Sequence, residues 1–122
     1  MARVLVVDDE PEILELVAHV LADHEIVGTA ANGHDAVDAW RFLRPDLIVL
    51  DHMMPDMTGL TAARRILAHD PTQRIVLFTA LADRQLFREA ESIGIAACVV
   101  KTDVSTLAGI AAITLGQPTM PS

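Results

Sequence analysis

Five polar side chains stand where short apolar runs of the sequence end. They are Asp8 and Asp9 after residues 4–7, Asp51 after residues 47–50, Thr79 after residues 75–78, and Lys101 after residues 96–100. If the first and third runs are neighbouring strands, about 4.8 Å apart, their three carboxylates converge. Two such charges about 4 Å apart repel by on the order of 4 kcal/mol at an effective dielectric constant of about 20. The cluster therefore needs a proton or a cation, and magnesium prefers oxygen ligands of this kind.

Each of these residues also has a simpler explanation when it is taken alone. The acidic run from Asp8 to Pro11 is typical of a helix start, where an acidic side chain caps free N–H groups. Thr79 or Lys101 by itself would be an ordinary surface residue. The coincidence of polar residues at the same end of several strands is what favours a binding or catalytic site.

Regular alternation of strand and helix patterns predicts the elements that position these residues. Short apolar runs, typical of strands buried in a parallel sheet, cover residues 4–7, 47–50, 75–78 and 96–100, with a weaker one over residues 25–27. Apolar residues at helical spacing predict helices over about residues 11–23, 34–44, 59–70, 83–93 and 103–115. The chain therefore reads as one α/β domain with five strands and five helices.

Strand-helix alternation implies a doubly wound parallel sheet with helices on both faces, because each crossover between parallel strands is right-handed. The element count fits the five-stranded, flavodoxin-like order 2-1-3-4-5, whose ligand crevice lies beyond the carboxyl ends of strands 1 and 3. We expect the domain to cover residues 1–116. Residues 117–122, which include Pro118 and Pro121, are predicted to be a tail or the start of a linker.

Composition excludes several classes of protein. Of the 122 residues, 17 are acidic and 9 are lysine or arginine, which gives a net charge of −8 and no basic face for direct nucleic-acid binding. Cys98 is the single cysteine, so an intrachain disulfide is impossible and a reducing compartment is expected. The apolar runs are too short to cross a membrane, and no signal-peptide pattern precedes the first strand. We therefore expect a cytoplasmic protein without membrane contact.

Four motifs in order along the chain resemble the receiver domain of two-component response regulators, the CheY-like superfamily. They are VLVVDDEP at residues 4–11, PDLIVLDHMMPDMTG at residues 45–59, LFTA at residues 77–80 and VVK at residues 99–101. The likeness implies that Asp51 is a phosphoacceptor, which takes a phosphoryl group from a sensor histidine kinase or a phosphotransfer protein. It also implies that Asp8, Asp9, a carboxylate oxygen of Asp51 and the backbone carbonyl of Met53 bind Mg²⁺.

The resemblance assigns roles to the remaining motif residues as well. Lys101 would pair with the acceptor and later with a phosphoryl oxygen, and Thr79 would hydrogen-bond another phosphoryl oxygen and so report the modification. Pro55 and Gly59 would shape the loop after the acceptor. Carboxylates are competent phosphoryl nucleophiles, and such transfer depends mainly on positioning and charge neutralisation. The chain would then be a signalling switch rather than an enzyme, acting on a partner or an output domain.

The sequence departs from the receiver pattern at several positions. Cys98 stands where the family usually has an aromatic ring that turns inward when the threonine moves, and Thr102 replaces the proline that commonly follows the lysine, often on a cis bond. We expect the peptide after Lys101 to be trans, because a non-proline cis bond costs roughly 2.5 to 4 kcal/mol. Met53 and Leu81 are apolar where the family often has polar side chains that place the hydrolytic water.

Three other functions are compatible with parts of the pattern. A haloacid-dehalogenase-like phosphatase also uses an aspartate nucleophile and magnesium, but it needs a second acid where Met53 stands. A flavin-binding electron carrier needs a phosphate-binding loop after the first strand, where the acidic Asp8 to Pro11 run would repel phosphate. A structural adaptor that retains an unused site is also consistent with the sequence. The five histidines show no spacing that joins them to the acids, and we expect surface positions for all: His19, His24, His34, His52 and His69.

Overall fold

The computed structural model describes residues 1–116, in which five strands alternate with five α-helices. The strands are β1 (Arg3–Val7), β2 (Glu25–Ala30), β3 (Leu47–Leu50), β4 (Arg74–Thr79) and β5 (Ala97–Val100). The helices are α1 (Pro11–Val20), α2 (Gly33–Leu43), α3 (Gly59–His69), α4 (Arg84–Ile93) and α5 (Leu107–Gly116). The tail or linker predicted for residues 117–122 lies outside the described residues.

All strand pairs are parallel, and the order across the sheet is β2-β1-β3-β4-β5. The predicted doubly wound fold is therefore confirmed. The order in which strands are added to the sheet reverses between β1 and β3, because β2 lies on one side of β1 while β3, β4 and β5 lie on the other. The crevice at this switch point is where a ligand is expected in such folds.

Alternate residues of each strand face opposite sides of the sheet, and each side has its own apolar core. One core packs the sheet against α2, α3 and α4, and its buried strand residues are Leu5, Val7, Ala30, Ile48, Leu50, Ile75 and Leu77. The other packs the sheet against α1 and α5, and its strand residues are Val4, Val6, Leu47, Val49, Val76, Phe78 and Val99. Coverage of both faces explains why the central strands are continuous apolar runs.

Three elements differ from their predicted ranges by more than one residue at an end. β2 continues to Ala30 although Gly28 and Thr29 interrupt its apolar run, because an edge strand pairs through its backbone with β1 alone. α1 ends at Val20, three residues earlier than predicted, since residues 21–23 form a turn.

The last helix also differs from its prediction. A 3₁₀ helix covers Lys101–Thr106, and regular α-helix begins only at Leu107, because the backbone of Asp103 has non-helical angles of φ −103° and ψ 36°. α5 is nearly apolar but has only 10 residues. Within the described part of the chain, every helix is too short or too polar to traverse a lipid bilayer.

Candidate functional site

The ends of β1 and β3 bring two aspartates to the switch point of the sheet. Val7 and Leu50 are register partners, so Asp8 and Asp51, the next residue of each strand, leave the sheet side by side. The Asp51 N–H donates to the Val7 carbonyl at 2.9 Å, which continues the ladder one residue beyond the strand. The two aspartates are buried, with 1% and 3% of their surface exposed. Burial of adjacent carboxylates requires a compensating charge.

Lys101 supplies a positive charge to this pair of acids. It follows β5, whose last residue, Val100, is the register partner of Thr79. Its ammonium lies 2.7 Å from Asp8 Oδ2 and 3.3 Å from Asp51 Oδ1, and its side chain is only 12% exposed. Asp8 Oδ2 is buried, and within the described residues this ammonium is the partner that it has. The lysine therefore offsets part of the charge, with one ammonium facing two buried carboxylates.

Burial and charge act in opposite directions on the acceptor and the lysine. Desolvation raises the pKa of Asp51, as does the charge of Asp8, while Lys101 lowers it by a smaller amount. Desolvation alone would lower the pKa of Lys101, but its hydrogen bonds and charge interactions with the two aspartates outweigh it, so the pKa is raised. The lysine is therefore charged over the physiological range, and the Asp51 carboxylate is at a higher energy than one in water.

A second group of acids adjoins the buried pair. Carboxylate oxygens of Asp8, Asp9 and Glu10 lie within 4.8 Å of one another, and the latter two residues are exposed. Glu10 Oε1 also lies 3.7 Å from the Lys101 ammonium. This set of carboxylate oxygens, two of its three residues open to solvent, fits a hard divalent cation such as Mg²⁺. Sequence reasoning did not include Glu10 in the site, although its place in the acidic run was a usable signal.

The acidic run does not cap the helix that follows it. Glu10 occupies the N-cap position of α1 and makes no side-chain capping hydrogen bond, and Pro11 fills the first helical position. Asp8 Oδ1 instead accepts the N–H of Glu10 at 2.9 Å, which leaves its second oxygen directed to the lysine. The simple explanation of this run as a cap therefore does not account for its side chains.

Thr79 and Met53 stand near the same edge of the sheet. Thr79 is the last residue of β4 and is fully buried, and its hydroxyl oxygen accepts the N–H of Leu81 at 3.1 Å. Met53 is two residues beyond Asp51, and its side chain is largely exposed. These positions are compatible with the hydroxyl and carbonyl roles predicted for the two residues, which stay predictions.

The loop after Asp51 is tightly closed. The N–H of Gly59, at the start of α3, donates to the His52 carbonyl at 2.8 Å. A Cβ atom at this glycine would overlap the backbone carbonyl oxygen of Asp51, so a side chain there would force the loop open. The predicted shaping role of Gly59 has this steric basis.

His52, beside the acceptor, is partly buried rather than a solvated surface residue. Its Nδ1 atom is buried and has no hydrogen-bond partner among the described residues, and burial lowers its pKa. It lines an open cavity of about 360 Å³ between α3 and α4, along with Thr58, Leu60, Thr61, Arg64, Asp83, Gln85, Leu86 and Glu89. The surface prediction for this histidine was wrong because the loop after Asp51 folds back on α3.

Cys98 is the second residue of β5, so it precedes Lys101 and the acidic crevice along the strand. The thiol is half-buried, and burial raises its pKa to about 11. It lines a cavity of about 230 Å³ with Phe87 and Glu91 of α4 and residues 95–97. The small side chain of Cys98 therefore leaves open space between α4 and β5.

The peptide that joins Lys101 to Thr102 is trans, as predicted.

The fold and this crevice together define a class: a doubly wound domain with an acid-and-lysine site at the switch point of its sheet. The chain matches the response regulator receiver domain over residues 4–111, and it belongs to that family. It is a signalling-switch domain of two-component systems, as the sequence predicted.

Relatives agree with this membership. The chain is 38% identical over 103 residues to protein CcdB of Bacillus subtilis, covering 83% of this chain and 86% of that protein. It is 33% identical over 101 residues to the chemotaxis protein CheY of Thermotoga maritima, covering 81% and 84%. Among solved structures, it resembles a chain of the CheX-CheY-BeF3-Mg complex from Borrelia burgdorferi, with a TM-score of 0.88, 26% identity, and coverage of 94% and 90%.

Proposed function

We propose that Asp51 accepts a phosphoryl group from a phosphohistidine of a sensor histidine kinase or a phosphotransfer protein. A carboxylate oxygen of Asp51 forms a bond to phosphorus as the phosphorus–nitrogen bond breaks, and the departing imidazole nitrogen keeps the electron pair and takes up a proton. Burial favours this step because a carboxylate stripped of water is a stronger nucleophile. The observation that carries the proposal is the Lys101 ammonium 3.3 Å from this carboxylate in a buried crevice.

Asp8, Asp9, a carboxylate oxygen of Asp51 and the backbone carbonyl of Met53 are the residues that would hold Mg²⁺. When bound, the ion supplies positive charge that neutralises the phosphoryl oxygens during transfer. Support comes from the adjoining acids, since carboxylate oxygens of Asp8, Asp9 and Glu10 lie within 4.8 Å of one another. The Borrelia structure, whose protein is similar to this chain, is described as a complex with BeF3 and magnesium.

Lys101 and Thr79 would couple the modification to a change of shape. Before transfer, the lysine neutralises the acids; afterwards it would pair with a phosphoryl oxygen, since that group carries more negative charge than the carboxylate it replaces. The Thr79 hydroxyl, now engaged with the N–H of Leu81, would donate to another phosphoryl oxygen and pull on the loop after β4. The change would control a partner protein or an output domain, in the cytoplasm and without direct nucleic-acid contact.

Intact-mass analysis after incubation with acetyl phosphate tests the proposal. We expect the wild-type protein to gain one phosphoryl group with magnesium and almost none when the metal is chelated. Asp51→Asn keeps the shape of the side chain but removes the nucleophile, so it should gain none. Asp46→Asn is the matched control, because Asp46 precedes β3 at the opposite edge of the sheet, where it accepts the N–H of Arg3 at 2.8 Å. Phosphorylation of Asp51→Asn would contradict the assignment.

A further inference from the structure

The loop between β3 and α3 is attached to the start of α2 through one carboxylate. Asp56 accepts the N–H of Gly33 at 2.8 Å and the N–H of His34 at 2.9 Å. These are the first two residues of α2, whose N–H groups have no partner within the helix. The N-cap residue Asn32 accepts the next N–H, that of Asp35, at 2.8 Å. Asp56 thus completes the helix cap from a separate loop, 22 and 23 residues away in sequence.

The same carboxylate makes two further contacts. His34 Nδ1 lies 2.6 Å from Asp56 Oδ2, and the N–H of Met57 donates to Oδ1 at 2.9 Å. Hydrogen bonds, of which that from Gly33 has the largest effect, hold the pKa of Asp56 well below its usual range. Each carboxylate oxygen of Asp56 therefore has two partners. Because its pKa is so low, the carboxyl is ionised at physiological pH and acts as a hydrogen-bond acceptor.

Packing at the helix start reinforces the attachment. Gly33 has no side chain, and a Cβ atom there would overlap the Met57 side chain, which packs directly against the backbone of the first turn. The far end of the same loop is closed by Gly59 against the backbone of Asp51 and His52. The segment that carries Met53 is therefore held between two fixed points, one at the acceptor and one on α2.

We propose that Asp56 is a positioning residue for the phosphorylation site, and that its attachment to α2 holds the loop that presents the Met53 carbonyl. The inference rests on the proposed function, in which that carbonyl is a magnesium ligand. Asp56 itself is neither a ligand nor a nucleophile in this scheme. A mobile loop loses conformational freedom when one of its groups binds the ion, and this loss weakens binding. A loop that is already held on α2 has lost that freedom during folding, so ion binding does not carry the cost.

Magnesium binding to the full chain without a phosphodonor tests this role. Backbone amide NMR shifts are followed as Mg²⁺ is added to the wild-type protein and to Asp56→Ala. We expect magnesium affinity to fall about three- to tenfold in the variant, less than the roughly 10–100-fold that follows loss of a group bonded directly to a ligand. Phosphorylation by acetyl phosphate should recover to the wild-type rate at saturating magnesium, a separation that general unfolding would not produce.

Two more variants separate positioning from a loss of stability. Asp70→Ala also removes a loop carboxylate, one that accepts the Thr72 N–H at 3.0 Å and the Thr72 hydroxyl at 2.6 Å, but it lies at the other edge of the sheet. We expect its magnesium affinity to equal that of the wild type. Gly33→Ala retains the Asp56 carboxylate but displaces Met57, and it should weaken magnesium binding as Asp56→Ala does.

Failure of the inference is distinguishable from failure of the proposed function. If wild-type protein binds magnesium and is phosphorylated on Asp51, unchanged affinity in both Asp56→Ala and Gly33→Ala overturns the positioning role. An equal loss of affinity in Asp70→Ala also overturns it, because the effect would then be general destabilisation. A wild-type protein that neither binds magnesium nor gains a phosphoryl group overturns the proposed function itself.

Discussion

The acidic crevice and the α4–β5 side of the molecule belong to the same sheet, but the first holds packed charged side chains and the second an open cavity. In the crevice, Asp8, Asp51 and Lys101 pack buried charges within ion-pair distance. Between α4 and β5, Cys98 and Phe87 border a cavity of about 230 Å³ instead of a packed ring.

The difference separates two requirements of a phosphorylation switch. Phosphoryl chemistry needs charged groups fixed by strand ends, whereas a relay through the fold needs side-chain volume with two alternative positions. In this chain the ends of β1, β3 and β5 supply such charged groups, whereas Cys98 supplies little side-chain volume between α4 and β5.

The largest effect is expected from Asp9→Ala. Asp9 is exposed, so its removal leaves no cavity, and it relieves repulsion within the acidic group of Asp8 and Glu10. The metal-free fold should be intact, but phosphorylation at limiting magnesium should fall by more than roughly 100-fold, since loss of a group that is only hydrogen-bonded to a ligand already costs about 10–100-fold in metal affinity. The measurement is the rate of phosphorylation by acetyl phosphate as magnesium is varied.

Glu12→Ala is the matched control for that variant. Glu12 is also exposed and lies in the first turn of α1, but outside the acidic group. Its phosphorylation rate should equal that of the wild type. Full phosphorylation of Asp9→Ala at low magnesium would show that the crevice is not organised around the cation.

The next effect concerns the lifetime of the phosphorylated state. Hydrolysis needs a water in line with the scissile bond, and the apolar side chains of Met53 and Leu81, both exposed, cannot orient one by hydrogen bonding. We expect slow loss of the phosphoryl group. Met53→Asn or Leu81→Glu should accelerate it by about tenfold, less than the roughly 100-fold that exact placement of a reacting group can contribute.

Decay of the purified phosphoprotein, followed by intact mass, measures this lifetime, and Met53→Leu and Leu81→Met serve as apolar controls. Decay within seconds in the wild type, unchanged in both polar variants, would show that other groups place the water. The exposed apolar side chains of Met53 and Leu81 would then not determine how long the phosphoryl group persists.

A smaller effect is expected on stability. Folding raises the pKa of Asp51 above its value near 3.8 in the unfolded chain. The folded protein therefore binds a proton at this carboxyl more tightly than the unfolded chain does. The contribution of Asp51 to stability is therefore fully present below pH 3.8 and is lost as the pH rises through the folded-state pKa. At neutral pH and without metal, Asp51→Asn should be more stable than the wild type by about 1 kcal/mol.

Urea unfolding in the presence of a chelator, at several pH values, measures that difference. The advantage of Asp51→Asn should shrink as the pH falls through the folded-state pKa and reach its minimum well below 3.8, where the wild-type carboxyl is protonated in both states. Magnesium should reverse the order, because it stabilises the protein that binds it more tightly. A less stable variant at neutral pH would mean that the Lys101 pairing outweighs burial.

The smallest effect is expected in how far the conformational change extends from the site into the rest of the fold. With Cys98 in place of a ring, amide shifts on adding beryllofluoride, a phosphoryl mimic, should concentrate in the loops around Thr79 and Lys101. Cys98→Tyr should fill the open space beside Phe87 and extend the shifts into α5, while Cys98→Ser should behave as the wild type. Large shifts throughout α5 in the wild type would show that the relay does not need an aromatic side chain at this position.

Much of this architecture was determined by the sequence alone. Apolar runs located the strands, only weakly at β2, and the pattern of apolar residues located the helices, although the start of α5 was placed too early. The number of elements, compared with the common doubly wound folds, predicted the sheet order. The residues after the runs, among them Asp51 and Lys101, could be singled out because parallel strands end at one edge. These signals are local, since strand and helix periodicity result from geometry that repeats within a few residues.

The tertiary structure decided which polar groups meet. Lys101 lies closer to Asp8 than to Asp51, at 2.7 Å against 3.3 Å, and Glu10 joins the group. Asp56 reaches the first turn of α2, a contact that its own loop sequence does not indicate. Such contacts depend on the register of strands and the path of loops far apart in sequence, and no local repeat of apolar and polar residues encodes them.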